Sequence, residues 1–258
     1  MVSLSRWWRI VKRLPSMTPE EAGATGFAVG VLRRGRGRRR AISFLLGNAD
    51  ALLQSGRSAE ALVLYREAAR AGHHDAVVRV INWPGVRDDD ATVHAVYREA
   101  IAAGDLQSLA GLADLCARRG DEVEARRLYR RGEQIDDPVA LIGYGRLLAR
   151  TLSRPESADA VSRYRRQAAA GHSPALAILG AYLLAAPGGE TEAEAVLRHG
   201  TDLLDNRSRS LLAALLLRRG AVDEASQLIE QIRATGTAYI RAYAEALAKK
   251  YDLDSTTG

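Results

Sequence analysis

The sequence predicts an all-α fold in which antiparallel helix pairs stack into a solenoid. A short signature recurs six times: a small residue, an aromatic residue or Leu/Ile four positions on, and Ala, Gly or Ile about three further. The first residues of successive copies lie 32, 32, 35, 33 and 32 residues apart, a period typical of stacked supersecondary units. The composition agrees, because Ala, Leu and Arg are abundant and aromatic residues make up 5% of the chain, which favours helix over strand.

We call this pattern the repeat signature and expect each copy to lie in the second helix of a pair. The six copies are Ala61/Tyr65/Ala68, Val93/Tyr97/Ala100, Ala125/Tyr129/Gly132, Ala160/Tyr164/Ala168, Ala193/Leu197/Gly200 and Ala225/Ile229/Ile232. Glycines at 56, 120 and 220 should end first helices, since glycine is the usual left-handed stop. Residues with capping side chains should start helices at Ser58, at Asp121 with Glu124, at Asp137-Pro138 and at Ser173-Pro174.

One unit departs from the plan between the first two clear pairs. The segment from Val77 to Pro84 is too short for a full first helix. We expect Asn82-Trp-Pro-Gly85 to end that helix early and the acidic run from Asp88 to Asp90 to cap the next one. The acidic run is interpreted as a solvated helix start, because its spacing supplies too few ligands for calcium.

Residues 112–129 resemble a tetratricopeptide repeat (TPR), with Ala113, Gly120, Ala125 and Tyr129 at the positions that motif expects. Residues 65–76 and 164–180 look more like the related SEL-like repeat. The resemblance covers roughly residues 42–250 and implies a right-handed α-solenoid of stacked antiparallel helix pairs with a concave groove. It also implies a C-terminal closing helix over Thr237–Tyr251.

These patterns divide the chain into four parts. Residues 1–40 form a basic N-terminal helical segment, residues 41–236 the TPR/SEL-like repeat array, residues 237–251 a C-terminal capping helix and residues 252–258 a disordered tail. The first part carries ten basic and two acidic residues, or +8, and the whole chain carries +6, so the remainder carries −2. The basic character therefore belongs to the N-terminal segment rather than to the repeats.

By resemblance, the inward-pointing positions of the first helices form a partner-binding groove. Its candidate contact residues are Asp50, Gln54, Asp114, Arg118, Arg146, Arg150, Leu184 and Arg218. The other positions that should point inward are Leu46, Leu53, Ala110, Ile142, Ala177, Ala181, Ala185, Ser210, Ala214 and Leu217. The arginines would form a basic stripe around a small apolar patch, and guanidinium groups fork onto carboxylates or phosphates of an acidic peptide. The alternative is that they only solvate this face.

The N-terminal segment offers a second set of candidate contacts. Trp7 and Trp8 share one face of a short predicted helix whose other faces are basic, which fits a cap on the first repeat, a helix docked in a partner or contact with a membrane surface. Six arginines follow within eight residues and form either a solvated linker or a grip on phosphate. They are Arg33, Arg34, Arg36, Arg38, Arg39 and Arg40.

The residues give little support for catalysis, a cofactor or a metal. Cys116 is the only cysteine, which excludes an internal disulfide and a multi-cysteine metal site, and it falls on a predicted buried helix face. No phosphate-binding loop, nucleophile elbow or dinucleotide fingerprint occurs. The longest apolar stretch has 12 residues, fewer than the roughly 20 that a membrane span requires, and we expect a cytoplasmic protein.

We therefore predict a non-catalytic scaffold or adaptor that binds an acidic or mixed peptide, or another subunit of a larger assembly, in its concave groove. Two alternatives stay open. One is a nucleic-acid-associated or regulatory protein that uses the basic N-terminal segment. The other is a peripheral membrane scaffold anchored by the helix of Trp7 and Trp8.

Overall fold

The computed structural model describes residues 38–253, which form thirteen helices and no strand. The helices are α1 (Arg38–Gln54), α2 (Ser58–Arg70), α3 (His74–Ile81), α4 (Asp90–Ala102), α5 (Ser108–Arg118), α6 (Glu122–Gln134), α7 (Pro138–Arg150), α8 (Pro155–Ala169), α9 (Ser173–Ala185), α10 (Glu190–Asp202), α11 (Asn206–Arg218), α12 (Val222–Thr235) and α13 (Ala238–Lys250). The all-α prediction is confirmed for this range. The chain divides into two compact units after Ser108.

The first unit contains α1 to α4. Helix α2 packs on α1, α3 and α4, and its residues Leu64 and Tyr65 are fully buried. The short helix that the sequence predicts is α3, which ends at Ile81. Helix α4 then begins with Asp89 as its cap, since this carboxylate accepts hydrogen bonds from the backbone N–H groups of Ala91 and Thr92 at 3.1 and 3.3 Å.

Helix α1 begins at Arg38, three residues before the predicted start of the repeat array. Arg38, Arg39 and Arg40 therefore belong to the first turn of a helix rather than to a linker. The side chains of Arg39 and Arg40 are exposed.

In the second unit the odd-numbered helices α7, α9, α11 and α13 pack against one another. Each of the even-numbered helices α8, α10 and α12 packs on the odd-numbered helices before and after it, and α6 packs on α7. The last helix, α13, contacts α7 as well as α11. Its residues Ile240, Ala244 and Leu247 are buried, and so is Leu253, which lies in the predicted disordered tail.

The repeat signature lies in all six even-numbered helices, and its eighteen residues are buried except for Tyr97, which is half-buried. Its third position is Ala or Gly in five of the six copies, and where it is Gly the next helix crosses close by. A Cβ atom on Gly132 would lie less than 3.0 Å from Ala140, and one on Gly200 less than 3.0 Å from Ser208. A larger side chain would push the paired helices apart.

Most predicted helix ends are confirmed. Gly56, Gly120 and Gly220 all have positive φ, at 78°, 82° and 80°, where only glycine avoids strain. Asp121 accepts from the backbone N–H of Glu124 at 3.2 Å, and Asp137 accepts from that of Val139 at 3.0 Å.

Two predicted caps are wrong. Ser58 and Ser173 are the first helical residues, and the cap positions belong to Arg57 and His172, neither of which makes a side-chain capping hydrogen bond. The chain enters each helix one residue earlier than predicted. At α2, Arg57 instead donates two hydrogen bonds to Glu60, at 2.9 and 2.7 Å.

Arginine–glutamate pairs link successive even-numbered helices. Arg70 of α2 pairs with Glu99 of α4 at 2.9 Å, and Arg165 of α8 pairs with Glu192 of α10 at 2.6 Å. These side chains are about half exposed, so each pair contributes roughly 0.2–1 kcal/mol. Among the thirteen helices described, none has the length and apolar character of a membrane span.

Candidate functional site

A cavity of about 420 Å³ opens where α5, α6 and α7 meet in the second unit. We call it the arginine cavity. Its walls are formed by Asp114, Ala117 and Arg118 of α5, Tyr129 of α6, and Gly143, Arg146, Leu147 and Arg150 of α7. Four residues that the resemblance places in the groove, Asp114, Arg118, Arg146 and Arg150, therefore line one site.

The floor of the arginine cavity is fixed by a hydrogen bond from the Tyr129 hydroxyl to the Asp114 carboxylate. Tyr129 is 2% exposed. Burial raises the pKa of Tyr129 above its ordinary value, and the hydrogen bond to Asp114 adds to this rise. The phenol therefore stays protonated at neutral pH and donates to Asp114, which makes this carboxylate a structural acceptor that joins α5 to α6.

The arginines of the cavity present their guanidinium groups to solvent. Arg118, Arg146 and Arg150 are exposed. Arg150 donates a hydrogen bond of 3.0 Å to the carbonyl oxygen of Ala117. Among residues 38–253, no carboxylate forms an ion pair with Arg118 or Arg146, so both can engage an external anion without breaking an internal pair.

The corresponding pair in the first unit is already neutralised. Asp50 of α1 accepts a hydrogen bond from Tyr65 of α2, and Arg79 lies 3.1 Å from both the Asp50 carboxylate and the Tyr65 hydroxyl oxygen. Burial raises the pKa of Tyr65 to about 12. Gln54, the other predicted contact residue of this unit, is exposed at the end of α1.

A second cavity, of about 440 Å³, lies between α7, α9, α11 and α13. We call it the α13 cavity. Its walls are formed by Ile142, Arg146, Ala181, Leu184, Ala185, Leu211, Ala214, Leu215, Arg218, Tyr243, Leu247, Lys250 and Tyr251. Arg146 lines both cavities, and the α13 cavity also collects Leu184 and Arg218, the remaining predicted groove residues of this unit.

Charge in the α13 cavity is one-sided, because three basic residues and no carboxylate line it. Arg218 forms an ion pair of 3.6 Å with Glu190, which lies outside the lining, and Lys250 stacks over the Tyr251 ring at 5.3 Å. Burial raises the pKa of Tyr243 to about 12, against the opposing effect of Arg218 and Arg146. The cavity therefore offers cationic and hydroxyl donors above an apolar surface.

A larger depression, of about 620 Å³, lies beside α6 and the start of α8 and contains five arginines. Three of these arginines contact other side chains of the second unit. Arg127 pairs with Glu124 at 2.5 Å, and Arg154 pairs with Glu122 at 3.1 Å. Arg126 donates to the Ser157 hydroxyl at 2.6 Å. Three of the five arginines of this depression therefore belong to a structural network within the second unit.

Other predicted residues are placed as follows. Cys116 is buried in α5, at 3% exposure, as its helix face predicts. Within residues 38–253 no group of His, Cys, Asp or Glu residues is arranged to hold a metal ion. The N-terminal candidates Trp7, Trp8, Arg33, Arg34 and Arg36 lie outside the described residues, so their roles stay predictions.

Sequence reasoning missed two parts of the site. It did not identify Tyr129 as a wall of the arginine cavity, although the spacing of 15 residues from Asp114 to Tyr129 recurs from Asp50 to Tyr65 and is a usable signal. It also missed the contribution of Tyr243, Lys250 and Tyr251, because no local pattern shows that α13 packs back on α7.

No model of a known protein family matches the chain, and no curated protein matches it in sequence.

Proposed function

We propose that this protein is a non-catalytic adaptor, a right-handed α-solenoid of the TPR/SEL-like type, and that its arginine cavity binds an acidic peptide of a partner protein. The observation that carries the proposal is the state of Arg118 and Arg146. Both line the arginine cavity, both are exposed, and neither pairs with a carboxylate of residues 38–253.

The chemistry of these groups selects the partner. A guanidinium group presents a planar fork of donors that matches a carboxylate, and charge-assisted hydrogen bonds are the strong ones. Arg150 is held by the carbonyl oxygen of Ala117, so one donor of the set has a fixed position. The volume of about 420 Å³ suits one or two acidic side chains rather than a folded domain.

The arrangement also accounts for the choice of an acidic peptide over a basic or apolar one. Asp114 is the only carboxylate of the lining, and it is engaged by Tyr129. Three arginines and one carboxylate, already hydrogen-bonded to Tyr129, line the cavity. The cavity therefore carries an excess of positive charge, which would repel a basic peptide.

The test is a titration of a fluorescein-labelled glutamate-rich peptide, followed by fluorescence anisotropy. Arg118→Glu and Arg146→Glu should each weaken binding by about tenfold or more, because each replaces a donor with a like charge. Arg166→Glu is the matched control. It makes the same charge change on α8, where Arg166 is exposed and lines neither cavity, and should leave binding nearly unchanged.

Two outcomes would contradict the proposal. Either a glutamine-rich peptide of equal length binds as tightly, or Arg166→Glu weakens binding as much as the cavity variants do. Affinity purification from the native cell, with Arg146→Glu beside the unaltered protein, then identifies the partner as the protein that only the unaltered chain retains.

A further inference from the structure

The α13 cavity differs from the arginine cavity in its apolar lining. The apolar side chains of this lining come from four helices, α7, α9, α11 and α13. The main ones are Ile142, Ala181, Leu184, Leu211, Ala214 and Leu247. Leu184 and Ala214 are only half-buried, so part of this apolar surface is open and would lose its contact with water if a ligand covered it.

Donors for an anion stand beside this surface. Arg146 reaches it from α7, Arg218 from α11 and Lys250 from α13. The half-buried Tyr243 adds a phenol that both guanidinium groups influence. The ion pair between Arg218 and Glu190 is 3.6 Å long, which is longer than a hydrogen bond, so an incoming anion can take Arg218 without displacing a hydrogen bond.

We propose that the α13 cavity binds a small amphipathic anion, with its apolar body against Leu184 and Ala214 and its carboxylate or phosphate head between Arg146 and Arg218. The volume of about 440 Å³ lies within the range of small-molecule sites, which combine a mostly apolar lining with a few polar groups that fix orientation. This occupant is distinct from the acidic peptide of the arginine cavity, although Arg146 serves both.

The proposed ligand follows from the lining rather than from the total charge. A fully polar anion would leave the apolar surface uncovered, and a neutral apolar molecule would desolvate Arg146, Arg218 and Lys250 without a partner, which is costly. Only a molecule with both parts satisfies the two halves of the cavity.

The test is isothermal titration calorimetry with decanoate, decyl phosphate and decanol. Decanoate or decyl phosphate should bind at one site, and decanol should bind about tenfold more weakly or not at all, because it lacks the charged head. The ratio between the two anions identifies the preferred head group. Equal binding of decanol and both anions would overturn the proposal, as would no binding of either anion.

Two variants localise the site. Ala214→Phe fills the apolar floor and should abolish decanoate binding, while Arg218→Ala should weaken it about tenfold. Arg219→Ala is the matched control for Arg218, because Arg219 also pairs with Glu190, at 3.3 Å, but does not line the cavity. Circular dichroism melting must show that each variant is folded. Equal loss in the folded Arg218 and Arg219 variants would place the anion elsewhere.

A further variant separates this proposal from the proposed function. Of the two cavities, Arg118 lines only the arginine cavity. Arg118→Glu should therefore weaken binding of the glutamate-rich peptide and leave decanoate binding intact. If the peptide fails to bind while decanoate binds, only the adaptor proposal falls. If Ala214→Phe abolishes peptide binding and decanoate never binds, the α13 cavity belongs to the peptide site and the separate anion site is refuted.

Discussion

Tyr129 of α6 donates a hydrogen bond to Asp114 of α5, and the same bond recurs from Tyr65 of α2 to Asp50 of α1. Each pair is separated by 15 residues and joins the second helix of a repeat to the first. The tyrosine is the central residue of the repeat signature. In these two copies the signature therefore contributes a polar link between paired helices in addition to its buried volume.

The two links differ in their surroundings, and this difference gives a first prediction. Asp50 also has Arg79 at 3.1 Å, whereas no cation within residues 38–253 forms an ion pair with Asp114. Tyr129→Phe should lower the free energy of unfolding by about 1 kcal/mol, because the partly buried carboxylate of Asp114 loses its hydrogen-bond donor. Tyr65→Phe should cost less, since Arg79 still holds Asp50. Urea denaturation followed by circular dichroism measures both, and a larger loss for Tyr65→Phe would contradict the argument.

Close approach of α7 and α9 depends on Gly145, which gives a second prediction. A Cβ atom there would lie less than 3.0 Å from the backbone carbonyl group of Ala181, and backbone cannot move aside as a flexible side chain can. Gly145→Ala should therefore destabilise the protein by about 1–3 kcal/mol through overpacking, although alanine is the better helix former.

Gly47 supplies the matched control for this prediction. It also lies inside a helix, α1, but a Cβ atom there would meet nothing within 4 Å. Gly47→Ala should stabilise the protein by about 0.5–1 kcal/mol through helix propensity alone. Thermal unfolding of the two variants should shift in opposite directions; an upward shift in both would show that propensity, not packing, dominates at Gly145.

The sequence predicts the helices well because burial and turn geometry leave periodic traces. The repeat signature marks every even-numbered helix, and positive-φ glycines such as Gly120 mark the ends. The residue that occupies the cap position is less predictable. Ser58 and Ser173 lie one residue inside their helices, because the helical backbone begins one residue earlier than the capping pattern indicates.

The candidate site is only partly predictable for a different reason. The resemblance places Arg118, Arg146 and Arg218 at inward-pointing positions of their helices, and they do line cavities. Whether an arginine forms an ion pair with a glutamate depends on which helices pack together in the tertiary structure. Arg218 finds Glu190, whereas Arg146 finds no carboxylate among residues 38–253, and nothing local to either residue distinguishes the two.

A third prediction concerns Asp105, which lies buried in the first unit between α4 and α5. Burial alone raises its pKa, but hydrogen bonds from the His74 imidazole at 3.1 Å and the Ser108 hydroxyl at 2.5 Å outweigh burial and hold the pKa of Asp105 below its ordinary value. Because the pKa is lowered by folding, the ionised carboxylate stabilises the fold at pH values above the ordinary pKa of an aspartate. This stability is lost as pH falls through the folded-state pKa.

Asp105→Asn should therefore be less stable than the unaltered protein at neutral pH, by about 1–3 kcal/mol, because charge-assisted hydrogen bonds become neutral ones. The difference should shrink as the pH falls below the ordinary range of an aspartate. Denaturation at a series of pH values measures it, with the exposed Asp88→Asn as control. A difference that does not change with pH would mean that shape, not charge, matters at this position.

Glu133 near the end of α6 should show the opposite sign. Burial raises the pKa of Glu133 above its ordinary value and outweighs the lowering effect of four basic residues around it. These residues are Arg207, Arg130, Arg163 and His172. Folding therefore favours the protonated carboxyl. The stability that this group contributes is present at pH values below the ordinary pKa of a glutamate and is lost as pH rises through the folded-state pKa.

The glutamine of Glu133→Gln resembles the protonated carboxyl. This variant should consequently be more stable than the unaltered protein at neutral pH, and equally stable once the pH falls below the ordinary pKa of a glutamate. Glu230→Gln removes an exposed carboxylate of α12 and should change stability little at either pH. The same pH series of denaturation curves decides the matter. If Glu133→Gln is instead the less stable protein at neutral pH, attraction to the surrounding arginines outweighs burial, and Glu133 is a half-buried ion-pair partner that the fold needs in its charged form.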